Sequence, residues 1–221
     1  RDMYNPRASF EKHLEGLESL LLEMGRAAET MLEQALAALA RRDVDLAEET
    51  ILLDDRVDYL KQVIESKSME LIATQQPAAK DLRRILAAIL IASDIERVAD
   101  YSVNICESAV RLADKPLFKP LIDIPKMEQL VVKMLKQSLE AFVCRSLKLI
   151  EQMCALDEEV DDLYDALYEE LKQFMKQDPT LVDQAVELVL ISRHLERIAD
   201  HITNIGERVY YVETGVFGEL Q

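Results

Sequence analysis

Apolar residues recur along this chain at every third and fourth position almost without a break, the period of an amphipathic helix and not of a strand. Interruptions of that period predict six helices. The first runs from about Ser9, read as its cap, to Arg41; the second from about Asp45 to Thr74, entered through RRDVD. TQQP then breaks the pattern, and Pro77 is placed in the first turn of a third helix reaching about Ala113. DKPLFKPLIDIP, rich in proline, is the one convincing linker, residues 114–125. Helices four and five run from about Pro125 to Ile150 and from about Leu156 to Lys176. QDPT supplies Asp178 as cap and Pro179 as first residue of a sixth helix ending near Tyr211. Long helices joined by short turns lie antiparallel and bury stripes on one another. The expected fold is all-α, two tandem three-helix bundles resembling spectrin repeats, at residues 1–115 and 123–221.

The two halves are related in sequence. ERVADYSVNICE, Glu96 to Glu107, returns as ERIADHITNIGE, Glu196 to Glu207. Upstream, LLDDRVDYL resembles ALDEEVDDL, pairing Asp54 with Asp157 and Asp58 with Asp161. A helix turns about 100° per residue, so Asp100, Glu107 and Asn104 fall about 40°, 20° and 80° from Glu96. Leu82, Ile85, Ile89 and Val103 share that sector. In the second copy Glu196, Asp200 and Glu207 share theirs with Val182, Ala185 and Val189. A solvated charge run would lie opposite the apolar stripe.

Carboxylates crowded on a partly buried face repel one another and lose hydration, so they need basic partners or bound cations. Arg97 and Arg197 point about 100° from their glutamates and are expected to neutralise neither stripe. Arg193 lies closer to Glu196, but its counterpart is Ser93. The second helix of each half adds D-x-x-x-D, Asp54 with Asp58 and Asp157 with Asp161. Facing E-x-x-x-D across an antiparallel bundle, these make two four-carboxylate sites, Asp54, Asp58, Glu96 and Asp100, then Asp157, Asp161, Glu196 and Asp200. Hard oxygen donors suit Mg²⁺, Mn²⁺, Ca²⁺ or iron. No thiolate or imidazole lies on the stripe, which disfavours a structural zinc site. Asn104, Glu107, Asn204 and Glu207 are second-tier candidates. A lone E-x-x-x-D most often marks a solvated face; two copies on apolar stripes, each with an acidic partner helix, favour a site.

Composition narrows the function. The formal charge of −16 repels free nucleic acid and anionic lipid and attracts cations or basic protein surfaces. No apolar run approaches the ~20 residues of a membrane span, and no signal peptide is read at the start. Arg1 is no natural start; Met3 is a candidate for one. Three cysteines without CxxC spacing fit a reducing compartment. His194 and His201 fall about 160° and 140° from Glu196 and are expected at the surface, and His13 is read as exposed or at an interface. The methionines look like gap filling. Neither a phosphate-binding loop nor a nucleophile elbow occurs.

The paired motifs, their separation and the total length resemble the PhoU family, associated with bacterial phosphate uptake. The resemblance implies two similar three-helix bundles side by side, and a regulator that is neither transporter nor enzyme. It implies partners, the ATPase subunit of a phosphate ABC importer and a phosphate-sensing histidine kinase, and repression of the starvation response when phosphate is plentiful. It further implies clusters of Fe, Mn, Mg or Zn on E(D)-x-x-x-D motifs, here the eight acids named above. The expected location is the cytoplasm, at the inner membrane face through partners, with room for a homodimer. Tyr101 stands where the second motif has His201. The alternatives are a carboxylate-bridged di-metal enzyme, disfavoured because the stripe lacks histidine, and a purely structural bundle whose acids are exposed salt-bridge partners.

Overall fold

The structure, a computed structural model, describes residues 6–220; the Arg1 and Met3 readings lie outside them. Among the described residues there is no strand. The helices are α1 (Pro6–Arg41), α2 (Val44–Leu52), α3 (Asp54–Gln75), α4 (Ala79–Leu112), α5 (Asp123–Cys144), α6 (Leu147–Gln177) and α7 (Val182–Thr214), with a 3₁₀ turn at Pro179–Leu181. α1, the α2–α3 arm and α4 form one three-armed bundle; α5, α6 and α7 form the other. The two meet chiefly along α4 and α7, and α1 also packs on α5. Fully buried Met24, Ile95, Met127 and Ile198 belong to one apolar core that runs through both halves.

Several boundaries differ from the periodicity. Helix one starts before Ser9, which lies inside it. The second helix is interrupted at Leu53, between α2 and α3. The Thr50 hydroxyl sits 2.7 Å from the Leu46 carbonyl, a back-bond that bends helices. The interruption makes Asp54 the first residue of α3, where the helix dipole favours negative charge. Pro77 precedes α4 instead of opening it, behind Gln76 in the left-handed region.

The largest displacement is the turn between helices four and five. It falls at Arg145–Ser146, not near residues 151–155. Arg145 takes φ 57, and Ser146 caps α6 by accepting from the Leu149 N–H at 3.4 Å. The same device joins α1 to α2: Arg42 has φ 55 and Asp43 accepts from Leu46 N–H at 3.0 Å. Asp178 caps as expected, accepting from Thr180 N–H at 3.0 Å, but Pro179 opens a 3₁₀ turn, and α7 continues past Tyr211 to Gly215 in the left-handed region. The proline-rich linker is tied down. Gln184 accepts from Phe118 N–H at 3.1 Å and donates to the Pro116 carbonyl at 3.0 Å, while Phe118 meets Phe174 edge-on.

Candidate metal centres

Both acidic motifs lie mid-helix on arms that the core fixes in place. Val98, Ala99 and Ile105 on α4 are buried, as are Ile198, Ala199 and Ile205 on α7. Between those positions Glu96 and Asp100 come out half-buried on the flank towards α3, and Glu196 and Asp200 on the flank towards α6. Val57, Leu60 and Ile64 seat α3 in the same core, and Val160 and Leu167 seat α6, so the D-x-x-x-D pairs face their partners.

The electrostatics show the convergence. The Asp54 carboxyl is pushed up to about 6, by burial first and then by Asp58, Asp100 and Glu96. Asp58 is raised by burial and by Glu96 and Asp100, with Lys61 opposing. In the second half Asp157 is pushed up to about 6 by burial, Asp161 and Asp200, against a hydrogen bond from Thr203. Asp161 is raised by burial and Asp200, and Glu196 by burial and Asp200, with Arg193 and Arg197 opposing. Asp54 Oδ1 and Asp157 Oδ1, equivalent atoms of the two halves, are buried without a hydrogen-bond partner.

Basic residues reach the clusters in ways the angular reading missed. Arg97 donates to Asp100 at 2.9 Å and Arg197 to Asp200 at 3.0 Å, so these arginines do neutralise part of each stripe, through the aspartate three residues on. Lys61 pairs with Glu96 across the α3–α4 groove. Arg193 lies 2.9 Å from Glu196.

Two of the second-tier residues engage other groups. Asn204 donates to Asp94 at 3.3 Å, and Glu207 accepts from the Leu220 N–H at 3.3 Å. Glu107 is exposed and Asn104 half-buried.

His13 is exposed, as expected, but His194 and His201 are not free surface residues. α4 and α7 run antiparallel, as Lys80–Glu213, Asp94–His201 and Arg111–Glu187 show. His201 Nδ1 lies 3.1 Å from Asp94, which is only 8% exposed. The Tyr101 ring sits 5.7 Å from His194 and 5.9 Å from His201, centroid to centroid. Burial, then nearby Arg111, lowers the His194 pKa. The divergent positions of the motif, Asp94 against His194 and Tyr101 against His201, thus meet each other across the seam. Sequence reasoning assigned none of them a role, although their divergence amid conserved repeat positions was visible.

As the side chains lie, no three of the described His, Cys, Asp or Glu residues form a ready-made coordination set. The donor chemistry and the two orphaned buried oxygens fit a hard cation; the open arrangement requires the carboxylates to move inward to close on one.

A tandem, all-α double bundle with a carboxylate cluster in each half is therefore the class of protein that fold and site define. The comparisons agree with that class. The family model for the PhoU domain matches residues 21–109 and again 124–209. The phosphate-specific transport system accessory protein PhoU homolog of Clostridium acetobutylicum is 38% identical over 210 residues, covering 95% of this chain and 96% of that protein. The crystal structure of PhoU from Pseudomonas aeruginosa superposes with a TM-score of 0.89 at 30% identity, over 94% of this chain and 100% of that one. That of the phosphate transport system regulatory protein PhoU from Streptococcus pneumoniae gives 0.88 at 30% identity, over 96% and 100%. The chain belongs to the PhoU family.

Proposed function

We propose that this chain is an accessory and regulatory protein of phosphate-specific transport, not an enzyme, whose two carboxylate clusters bind hard cations. The curated relatives are named as accessory proteins of that system. Within the described residues no helix is long and apolar enough to cross a membrane, so a role at the importer is exerted through protein contacts.

The observation that carries the cation reading is the pair of equivalent, buried, unpartnered oxygens, Asp54 Oδ1 and Asp157 Oδ1, each among carboxylates that raise its pKa. A bound Mg²⁺, Mn²⁺ or iron ion would supply positive charge that ties α3 to α4 and α6 to α7. The chain's own part is to hold Asp54, Asp58, Glu96 and Asp100, and Asp157, Asp161, Glu196 and Asp200, on rigid helices of one shared core. Binding there would set the outer faces of α4 and α7, which dock the importer's ATPase subunit or the sensor kinase in the cytoplasm. The −16 charge favours a basic docking segment on the partner.

Two measurements test this. Metal analysis with anomalous scattering should place cations at both clusters. Affinity for the ATPase subunit should change between EDTA-treated and Mn²⁺-loaded protein. Absence of binding to that subunit in both conditions would overturn the adaptor reading; absence of cations at the clusters would overturn the metal reading.

A further inference from the structure

Both clusters carry an arginine on the aspartate, Arg97 and Arg197, but they are not copies of each other in one respect: where the positive charge on the glutamate comes from. In the first half it comes from α3, as Lys61 reaches across to Glu96. The equivalent position in the second half is Tyr164, which cannot carry that charge. There the charge comes from α7 instead. The Arg193 guanidinium lies over the Tyr164 ring, 5.7 Å from its centroid, and 2.9 Å from Glu196. Arg193 in turn has Ser93 as its counterpart. Each half thus has one cation on its glutamate, from opposite helices and from positions the other half does not share.

The two cations differ in grip. Lys61 sits half-buried in the groove, with its side chain 25% exposed, in ion-pair contact with Glu96. Arg193 is 45% exposed, and Glu196 Oε2 still has no hydrogen bond in proper geometry despite the short approach. An ammonium is a compact point charge that takes the place a metal ion would take; a guanidinium lying on a ring is a planar donor at the rim.

We propose that Lys61 is a built-in competitor cation of the first cluster, and that a divalent ion must displace it from Glu96 to bind. The two sites are therefore unequal: the second cluster, Asp157, Asp161, Glu196 and Asp200, fills at lower metal concentration. This rests on the cation reading above.

The test uses the full chain and Mn²⁺ as probe. Asp157→Asn with Asp161→Asn isolates the first cluster, and Mn²⁺ affinity is read by electron paramagnetic resonance and calorimetry with and without Lys61→Met. The expected result is a gain of about two- to fivefold in affinity on adding Lys61→Met, the worth of one partly exposed ion pair that no longer has to be displaced. Lys67→Met is the control: it removes an exposed charge from the same helix, at a distance from Glu96. A Lys61→Met gain with no Lys67→Met gain supports the proposal. Equal gains reduce the effect to net charge and overturn it, as does no gain from Lys61→Met. Mn²⁺ binding by the unsubstituted chain separates the failures. If it binds there and Lys61→Met changes nothing, only the competitor role falls. If it binds neither there nor in the Lys61→Met variant, the cation reading falls too. Thermal melts verify that each variant is folded.

Discussion

Asp157→Asn is expected to stabilise the metal-free protein at neutral pH. Asp157 is the informative choice because it lies mid-helix in α6, whereas Asp54 sits in the first turn of α3, where the helix dipole already favours its charge. Its carboxyl is pushed from 3.8 to about 6, chiefly by burial and then by Asp161 and Asp200. The sign follows from proton counting. Below about pH 4 the carboxyl is protonated in both folded and unfolded chains, and no difference exists. Between about 4 and 6 only the folded chain keeps its proton, so stability falls as pH rises. Above about 6 the full penalty remains. A shift of about two units corresponds to ~3 kcal/mol at most; with the carboxyl only half-buried, solvent screening reduces this to ~1–2 kcal/mol. For a chain of this size that is a rise in Tm of about 2–8 °C at pH 7.5 in EDTA. Thermal melts by circular dichroism from pH 4 to 8 read it directly. The reasoning is refuted if Asp157→Asn is no more stable than the parent at pH 7.5, or if its advantage persists undiminished at pH 4. Mn²⁺ should reverse the order, since only the intact cluster gains from the ion.

Three further outcomes follow from the packing. Removing His201 as Ala leaves Asp94, 8% exposed, with one partner fewer, at a cost of about 1–3 kcal/mol; a double-mutant cycle with Asp94→Asn should return a coupling of about 0.5–2 kcal/mol by urea unfolding. Burial pushes the Cys106 thiol up to about 12, so iodoacetamide at pH 8 should label exposed Cys144 in the native protein and reach Cys106 only after unfolding. Ile198→Ala, at a position with no exposed surface, should lose about 2–5 kcal/mol by chemical denaturation, and a loss below about 1 kcal/mol would contradict the shared core.

Much of the fold was legible because helix period is a local signal. The continuous apolar stripe specifies helices, and short connections force them antiparallel. Turns were less legible where no Gly or Pro marks them. Arg145 in the left-handed region and Ser146 as cap are residue types that occur everywhere, so periodicity alone carried the fourth helix on to Ile150. The repeat held the missing information. Arg42–Asp43 and Arg145–Ser146 stand at the same offset as Asp54 and Asp157, and Asp43 had already been read as part of a helix entry. A turn placed in one copy of a duplication belongs in the other.

The site divides along the same line. Which carboxylates share a face follows from arithmetic within one helix, and Asp54, Asp58, Glu96 and Asp100 do influence one another across α3 and α4, as do Asp157, Asp161 and Asp200 across α6 and α7. Which cations reach them depends on side-chain length and on the distance between helices, and neither is written in a spacing. Arg97 lies about 100° from Glu96 yet engages Asp100, because a long side chain readily spans one turn. Lys61 and Arg193 were harder still, since each acts from a position its repeat partner does not conserve. That failure is itself informative. The repeat preserved the acids and the arginine on each aspartate, and let the charge on the glutamate move between helices, as expected if the carboxylates are selected as a set and neutralisation of the glutamate must only be achieved somehow. A structural ion pair on the glutamate would be held as a pair, as Arg97–Asp100 and Arg197–Asp200 are, and Lys61 would then find its counterpart at Tyr164.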